Sequence, residues 1–476
     1  MTGIPTGTRF RLFPQFAEGY AEPETVVLSP PRGTVGVGPS DSTMYAINAL
    51  DKNSAYDPPI YMPPYQGPQL VPARPGPDGN FDHIPVDSPE FPPAHLYGVT
   101  RFTLDVWERY LTRPVVWWHA AAYPRIELVP IVHWDNAHSG PGFIETGLRR
   151  NRLGRLEPFC LNLDVIAHET GHAILFSELG VPAPADVHAH FLAFHESFSD
   201  LIALIAALHF PSVTVRLLEQ TGGNLYITNL VSRIGEISNN EQIRIASNDV
   251  VMADVAGLVV RPDGTWVDPL GLYRDAHALA QPLTGAIFDI LVEIFQDELA
   301  ARRLIAPELD PRGWTRADVA EALEPVSHET AAAFARFRAG FHQALVHARD
   351  VVGASMAFAI RTLHPETLTF DRVAWRFVQG AARAGAGRHL PAIVQHFLDR
   401  GIDPSIGERT DALAPGAPRW HRLPYAERMR RMTALRQICC GGIAGCGCRS
   451  MHDFVHARRL LRHDQRAVGA EVGTLS

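Results

Sequence analysis

The sequence predicts an α+β protein, with a β-rich N-terminal part, a mainly α-helical C-terminal part and a helix between them that carries the chemistry. Three observations predict this. Short β-branched runs broken by Pro and Gly occupy the first third, an apolar run at 126–132 has the length of a buried strand, and apolar residues recur every three or four positions through most of the chain beyond about residue 158. Of the 476 residues, 46% are hydrophobic and 20% charged, the balance of a chain that buries a core.

In order, residues 25–28 and 34–37 read as short strands separated by Pro30, Pro31 and Gly33. Twelve of the 38 prolines fall between Pro58 and Pro93. Fixed φ angles and missing N–H groups sustain neither helix nor central strand there, so residues 1–93 are expected to form a strand- and Pro-rich arm. Leu96, Tyr97, Val99, Phe102, Val106, Trp107 and Tyr110 give 94–111 a helical period, and with the strand at 126–132 and a helix at 164–179 they make 94–180 a β-containing part. Residues 181–400 read as mainly helical, with helices at 187–209, 283–295, 328–352 and 371–384. The last part, 401–476, holds a loop rich in Pro and Ala, a helix at 426–438 and the cluster Cys439, Cys440, Cys446 and Cys448.

With 43 Lys+Arg against 51 Asp+Glu and no dense basic stripe, the chain has no electrostatic footprint for nucleic acid and no polybasic patch for a membrane surface. The apolar stretches, such as 201–210, read as too short to span a bilayer, so neither partner is expected. The first fifteen residues lack the apolar core of a secretory signal, which favours a cytoplasmic location unless the N-terminus is processed. Five cysteines, four of them within 439–448, exclude a disulfide scaffold, and their spacing fits no common zinc ribbon. Lys52 is the only lysine.

The informative segment runs from Asp164 to His172 and contains His168-Glu169-Thr170-Gly171-His172. Histidines four apart on a helix lie roughly 40° apart around its axis, so both imidazoles can reach one tetrahedral Zn²⁺. Glu169 follows the first of them and can take a proton from water at the ion's open position. A third ligand is required. A histidine six residues past His172 would mark one class of zinc protease, but Glu178 stands there. Glu196, 24 residues past His172 on a second helical pattern, is the expected third ligand, with His188, His190 and His195 as rivals. Asp200, one turn beyond Glu196, can accept the free N–H of His168 or His172 and fix its tautomer. Two neighbouring acidic residues repel each other on a helix unless a cation offsets the cost.

Over roughly residues 94–300 the chain resembles the thermolysin-like zinc metallopeptidases, the gluzincins. Ala94-His-Leu-Tyr-Gly-Val-Thr100 with Trp107 and Tyr110 is similar to the helix preceding the family's active site, and 164–172 is similar to its active-site helix. His195-Glu-Ser-Phe-Ser-Asp200 resembles its third-ligand helix, and Asn136-Ala137 its substrate-binding edge. Ile243-Arg244-Ile-Ala-Ser-Asn-Asp249 resembles its substrate arginine segment, and His277 with Gly285 its catalytic histidine region. The resemblance implies a zincin-like fold and a zinc endopeptidase acting on peptides or proteins. In it His168, His172 and Glu196 hold the metal and Glu169 is the general base. His277 stabilises the oxyanion with Asp275 orienting it, Arg244 binds a substrate carbonyl, and Asn136 and Ala137 pair with the extended substrate. The chain departs from the family where its transition-state tyrosine falls on Ala183, and where the partner of a calcium-binding Asp164 would be Ala207. Calcium is therefore not expected. Two other functions use the same residues: a zinc hydrolase of a non-protein amide or a peptide terminus, and a catalytically silent, metal-stabilised binding protein.

Overall fold

A computed structural model describes residues 7–15, 22–58, 60–150, 154, 156–226, 229, 233–238, 241–255, 259–260, 266–267, 273–274, 276–310, 316–411 and 420–440. Within that set, residues 185, 233–245, 259–274, 316–325 and 434–440 are described by their backbone alone. The protein is mixed α and β, with a mainly helical C-terminal part.

Strands β1 (Gly7–Leu12) and β2 (Glu24–Pro31) pair antiparallel. In β1 Phe10 and Leu12 turn inward and Arg9 and Arg11 outward, a period of two that builds a strand from few β-branched residues. Residues 34–37, expected as a strand, form only an isolated bridge between Gly36 and Ser40, because Gly33 and Gly38 take positive φ and turn the chain. Helix α1 (Phe91–Leu111) begins before residue 94. Pro92 and Pro93 lie in its first turn, where their missing N–H groups cost no intrahelical bond, so the proline run ends by opening a helix.

Strands β3 (Met44–Ala46), β4 (Ile126–Val129), β5 (Ala137–Gly140) and β6 (Phe143–Thr146) form one sheet in the order β3-β4-β6-β5. The first three run parallel, and β5 is the antiparallel edge. Pro130 stops β4 short of residue 132. Ile126, Leu128 and Ile144 face the main core with α1, while Val129 and Phe143 face a second core closed by Ile47, Ala49 and Tyr56. Glu127 and Glu145 share that second face by strand alternation. Lys52 Nζ lies 2.9 Å from Glu145 Oε2 and 3.9 Å from the centre of the Tyr56 ring, and Tyr45 and Tyr56 donate their hydroxyls to Glu127. The segment carrying Lys52 and Tyr56 thus covers this face of the sheet, fastened by buried charge, and the Pro-rich stretch joins it where the Tyr65 N–H donates to Glu127 at 3.2 Å.

A hairpin, β7 (Leu148–Arg150) and β8 (Leu156–Pro158), leads to α2 (Leu163–Glu178), α3 (Ala189–Ala207) and α4 (Pro211–Thr221). Residues 181–400, expected to be mainly helical, also contain the hairpin β9 (Arg233–Ser238) and β10 (Glu241–Ile245), and the short helix α5 (Met252–Val255). After α5 come β11 (Val259–Val260), β12 (Trp266–Val267) and β13 (Tyr273–Arg274). Helices α6 (Ala276–Ala301), α7 (Arg316–Thr362), α8 (Phe370–Arg383), α9 (Leu390–Asp399), α10 (Pro404–Asp411) and α11 (Tyr425–Cys440) complete the described chain. Of the cysteine cluster, Cys439 and Cys440 end α11, and Cys446 and Cys448 lie outside the described residues.

Helix α6 corrects two expectations. It starts before residue 283 because Pro282 is accommodated inside it, where a proline usually marks a boundary. By length and composition it is also apolar enough to cross a membrane, contrary to the reading that no stretch reaches that length. Its most apolar window is 78% buried inside the protein, where α6 packs against α3, α7 and α9. That is the setting of a central core helix.

Candidate metal centre

Helix α2 starts at Asn162, whose Oδ1 accepts from the Val165 N–H at 3.3 Å, and stops before Gly180, which takes a φ of +85°. It packs along α3, and Gly171 sets how closely. A Cβ at this position would lie 3.0 Å from Ser199 Cα, so the glycine admits the α3 backbone between the two histidines of the motif. Thr284 Oγ1 on α6 bonds Ser197 Oγ at 2.9 Å, and Trp107 Nε1 on α1 donates to the Ile202 carbonyl at 3.3 Å. Three helices thereby fix where Glu196 and Asp200 stand.

His168 Nε2 and His172 Nε2 are 3.1 Å apart, and Glu196 Oε2 lies 3.4 Å from the first and 3.7 Å from the second. Tetrahedral N/O ligands bound at about 2.0–2.1 Å stand about 3.3–3.4 Å from one another, so this triangle has the size that Zn²⁺ requires. His168 Nδ1 is 2.7 Å from Asp200 Oδ1. That bond places the proton on Nδ1 and leaves the Nε2 lone pair facing the trio. One proton could serve only one of the converging lone pairs, whereas a dication serves all three.

The charge states agree with this fit. Burial holds His172 well below the usual imidazole value and therefore neutral. Burial alone would raise the Glu196 carboxyl, but contact with His277 acts against this and the group is held well below the carboxylate range, hence anionic. Two neutral imidazoles and one carboxylate are the forms in which these side chains bind zinc.

Glu169 is buried on α2 beside His168. His277, expected as an oxyanion donor, lies in the first turn of α6 with Nδ1 2.9 Å from Glu196 Oε2. It joins the cluster through the carboxylate, a contact that sequence spacing cannot reveal. The rival ligands have other roles. His188 caps α3 by accepting from the Phe191 N–H at 3.3 Å, and His190 accepts from the Phe370 N–H at 3.1 Å. The His195 ring lies nearly parallel to that of His172, 5.8 Å away, against Phe176 and Phe191. Burial pushes it down to about 3, so it packs as a neutral ring.

Ala137 opens the edge strand β5, which packs against α2, and Asn136 precedes it with its Oδ1 accepting from the Ala137 N–H at 2.9 Å. Arg244 lies in β10 opposite Ile234, in a hairpin whose partner strand β9 packs on α2, and its side chain is outside the described set. Asp275 lies outside the described residues.

Asp200→Asn keeps the shape but removes the charge that fixes His168, and should weaken zinc binding by about 10- to 100-fold in competition with a chromophoric chelator. Unchanged affinity would detach Asp200 from the site.

No protein-family model matches the chain, and no curated protein sequence does.

Proposed function

We propose that the chain is a zinc-dependent metalloendopeptidase of thermolysin-like, zincin-like build. The observation that carries the proposal is the convergence of His168, His172 and Glu196 from α2 and α3 in a triangle of zinc dimensions, with Asp200 on the outer nitrogen of His168. The sheet beside it supports a peptide substrate. Its antiparallel edge strand β5 lies next to α2, where an extended chain could add as a further strand.

Zinc held by the trio would polarise a substrate carbonyl and make water a nucleophile near neutral pH. The remaining work belongs to the chain. Glu169 takes the proton of the attacking water and delivers it to the leaving amine nitrogen. Asp200 holds the His168 ring, and His277 stands beside the Glu196 carboxylate, its Nδ1 2.9 Å from Oε2. Arg244 offers a fork of N–H donors to a substrate carbonyl, and Asn136 and Ala137 mark where the substrate backbone lies.

The test is hydrolysis of a mixed peptide library by protein freed of metal with a chelator and then reloaded. Internal peptide bonds should be cut only after zinc returns. Release of terminal residues alone would make the chain an exopeptidase, and zinc uptake without any cleavage would leave a metal-stabilised binding protein.

A further inference from the structure

A second constellation lies at the other end of α6. Glu298, His347 and His389 bring one carboxylate oxygen and two imidazole nitrogens to within 4.8 Å of one another. Glu298 Oε1 is 3.4 Å from His347 Nε2 and 3.6 Å from His389 Nε2. His389 Nδ1 is 2.8 Å from Asp297 Oδ2. The arrangement repeats that of the first centre: an Asp on the outer nitrogen of one histidine, that histidine's Nε2 turned towards a buried glutamate, and a second Nε2 facing the same oxygen. We propose that Glu298, His347 and His389 form a second site for a divalent transition-metal ion of the zinc class. It is independent of the peptidase reading and of the residues that support it.

The donor set argues for that class. Two imidazoles with one carboxylate suit zinc, cobalt or nickel, whereas calcium and magnesium take oxygen ligands. Asp297 selects the tautomer. With the proton on Nδ1, His389 Nε2 is an acceptor, and Arg388 Nε approaches it at 3.3 Å as a donor. The same guanidinium bonds Glu298 Oε1 and lies 3.2 Å from Asp297 Oδ2, so one cationic group touches three members of the cluster. Arg388 therefore competes with the ion for the same lone pairs. Its side chain is 49% exposed and can leave for water, while Arg302, 2.7 Å from the other Glu298 oxygen, keeps that carboxylate in place. His347, 38% exposed, gives the ion a route from solvent. The three ligands come from α6, α7 and the turn Gly387–His389 before α9, so the ion would tie together segments far apart in sequence.

The test uses tag-free, full-length protein and zinc or cobalt(II) as the probe. The parent should bind two equivalents. H168Q/H172Q should keep one, with the cobalt absorption of a low-symmetry N/O site, and adding H347Q should remove it. Arg388→Gln should tighten binding at this site about tenfold or more, the worth of one charge-assisted hydrogen bond to a competing cation. If the first variant fails to fold, H347Q alone should lower the parent's stoichiometry from two to one. One equivalent in the parent that persists in H347Q, or two that persist there, would overturn the second site, as would cobalt affinity unmoved by Arg388→Gln, whereas a single equivalent that H347Q removes would leave the second site standing and count against the first centre. Because the first centre is left intact in H347Q, failure here is distinguishable from failure of the peptidase reading, whose measure is peptide cleavage.

Discussion

Glu169→Gln should leave zinc content unchanged and lower kcat for peptide hydrolysis by about 10²- to 10⁴-fold, the range for removing a positioned general base. The amide has the size of the carboxylate, so the packing of this buried position against its neighbours on α2 is preserved. It has no oxygen basic enough to take a proton from water. Neither His168 nor His172 loses its place, because their positions depend on α2, Asp200 and Gly171 rather than on residue 169. Steady-state kinetics alongside elemental analysis checks this. Full activity with zinc retained would remove Glu169 from the chemistry, and loss of zinc would show that the residue supports the metal rather than the reaction.

Lys52→Met should destabilise the protein by about 3–5 kcal/mol, the range for breaking one partner out of a buried ion pair. Lys52 and Glu145 are both almost wholly buried, and Lys52 also lies against the rings of Tyr56 and Tyr61. The thioether fills the space but leaves the Glu145 charge to His138 Nε2, 2.6 Å away, and to the Tyr56 N–H. Urea unfolding should show the loss, and Lys52→Met with Glu145→Gln should lose less than the sum of the two single changes. The pH dependence has a definite sign. Burial would raise Glu145, but His138 and Lys52 overcome this and hold it below its ordinary value of 4.5. Its contribution is therefore present at neutral pH and is lost as pH falls below the ordinary carboxylate range and through the lower folded value. In the Lys52→Met protein this acid-side loss should be smaller. A substitution within about 0.5 kcal/mol of the parent would mean that the arm is held by its apolar contacts alone.

What the sequence discloses here is what lies within one turn or one period. The α2 histidines are four apart, so helical geometry alone puts them together, and Glu196 with Asp200 reads in the same way on α3. Helices such as α8, predicted at 371–384 and found at Phe370–Arg383, follow from periodicity. What spacing cannot carry is contact between distant segments. His277 meets Glu196 across 81 residues, and Lys52 meets Glu145 across 93. His347 and His389 reach Glu298 from separate elements and carry no motif at all. Proline misleads in both directions: Pro92 and Pro93 open α1, and Pro282 sits inside α6. The strands between 233 and 274 are two to six residues long, too short for a period of two to stand out.

On the proposed function, α2 and α3 hold one zinc ion between them. Crystals of the zinc-loaded protein, measured on both sides of the zinc absorption edge, test it most directly. An anomalous peak is expected at about 2.0–2.2 Å from His168 Nε2, His172 Nε2 and a Glu196 oxygen, with a fourth position open to solvent. A zinc peak elsewhere, with these three side chains unligated in fully loaded crystals, would contradict it.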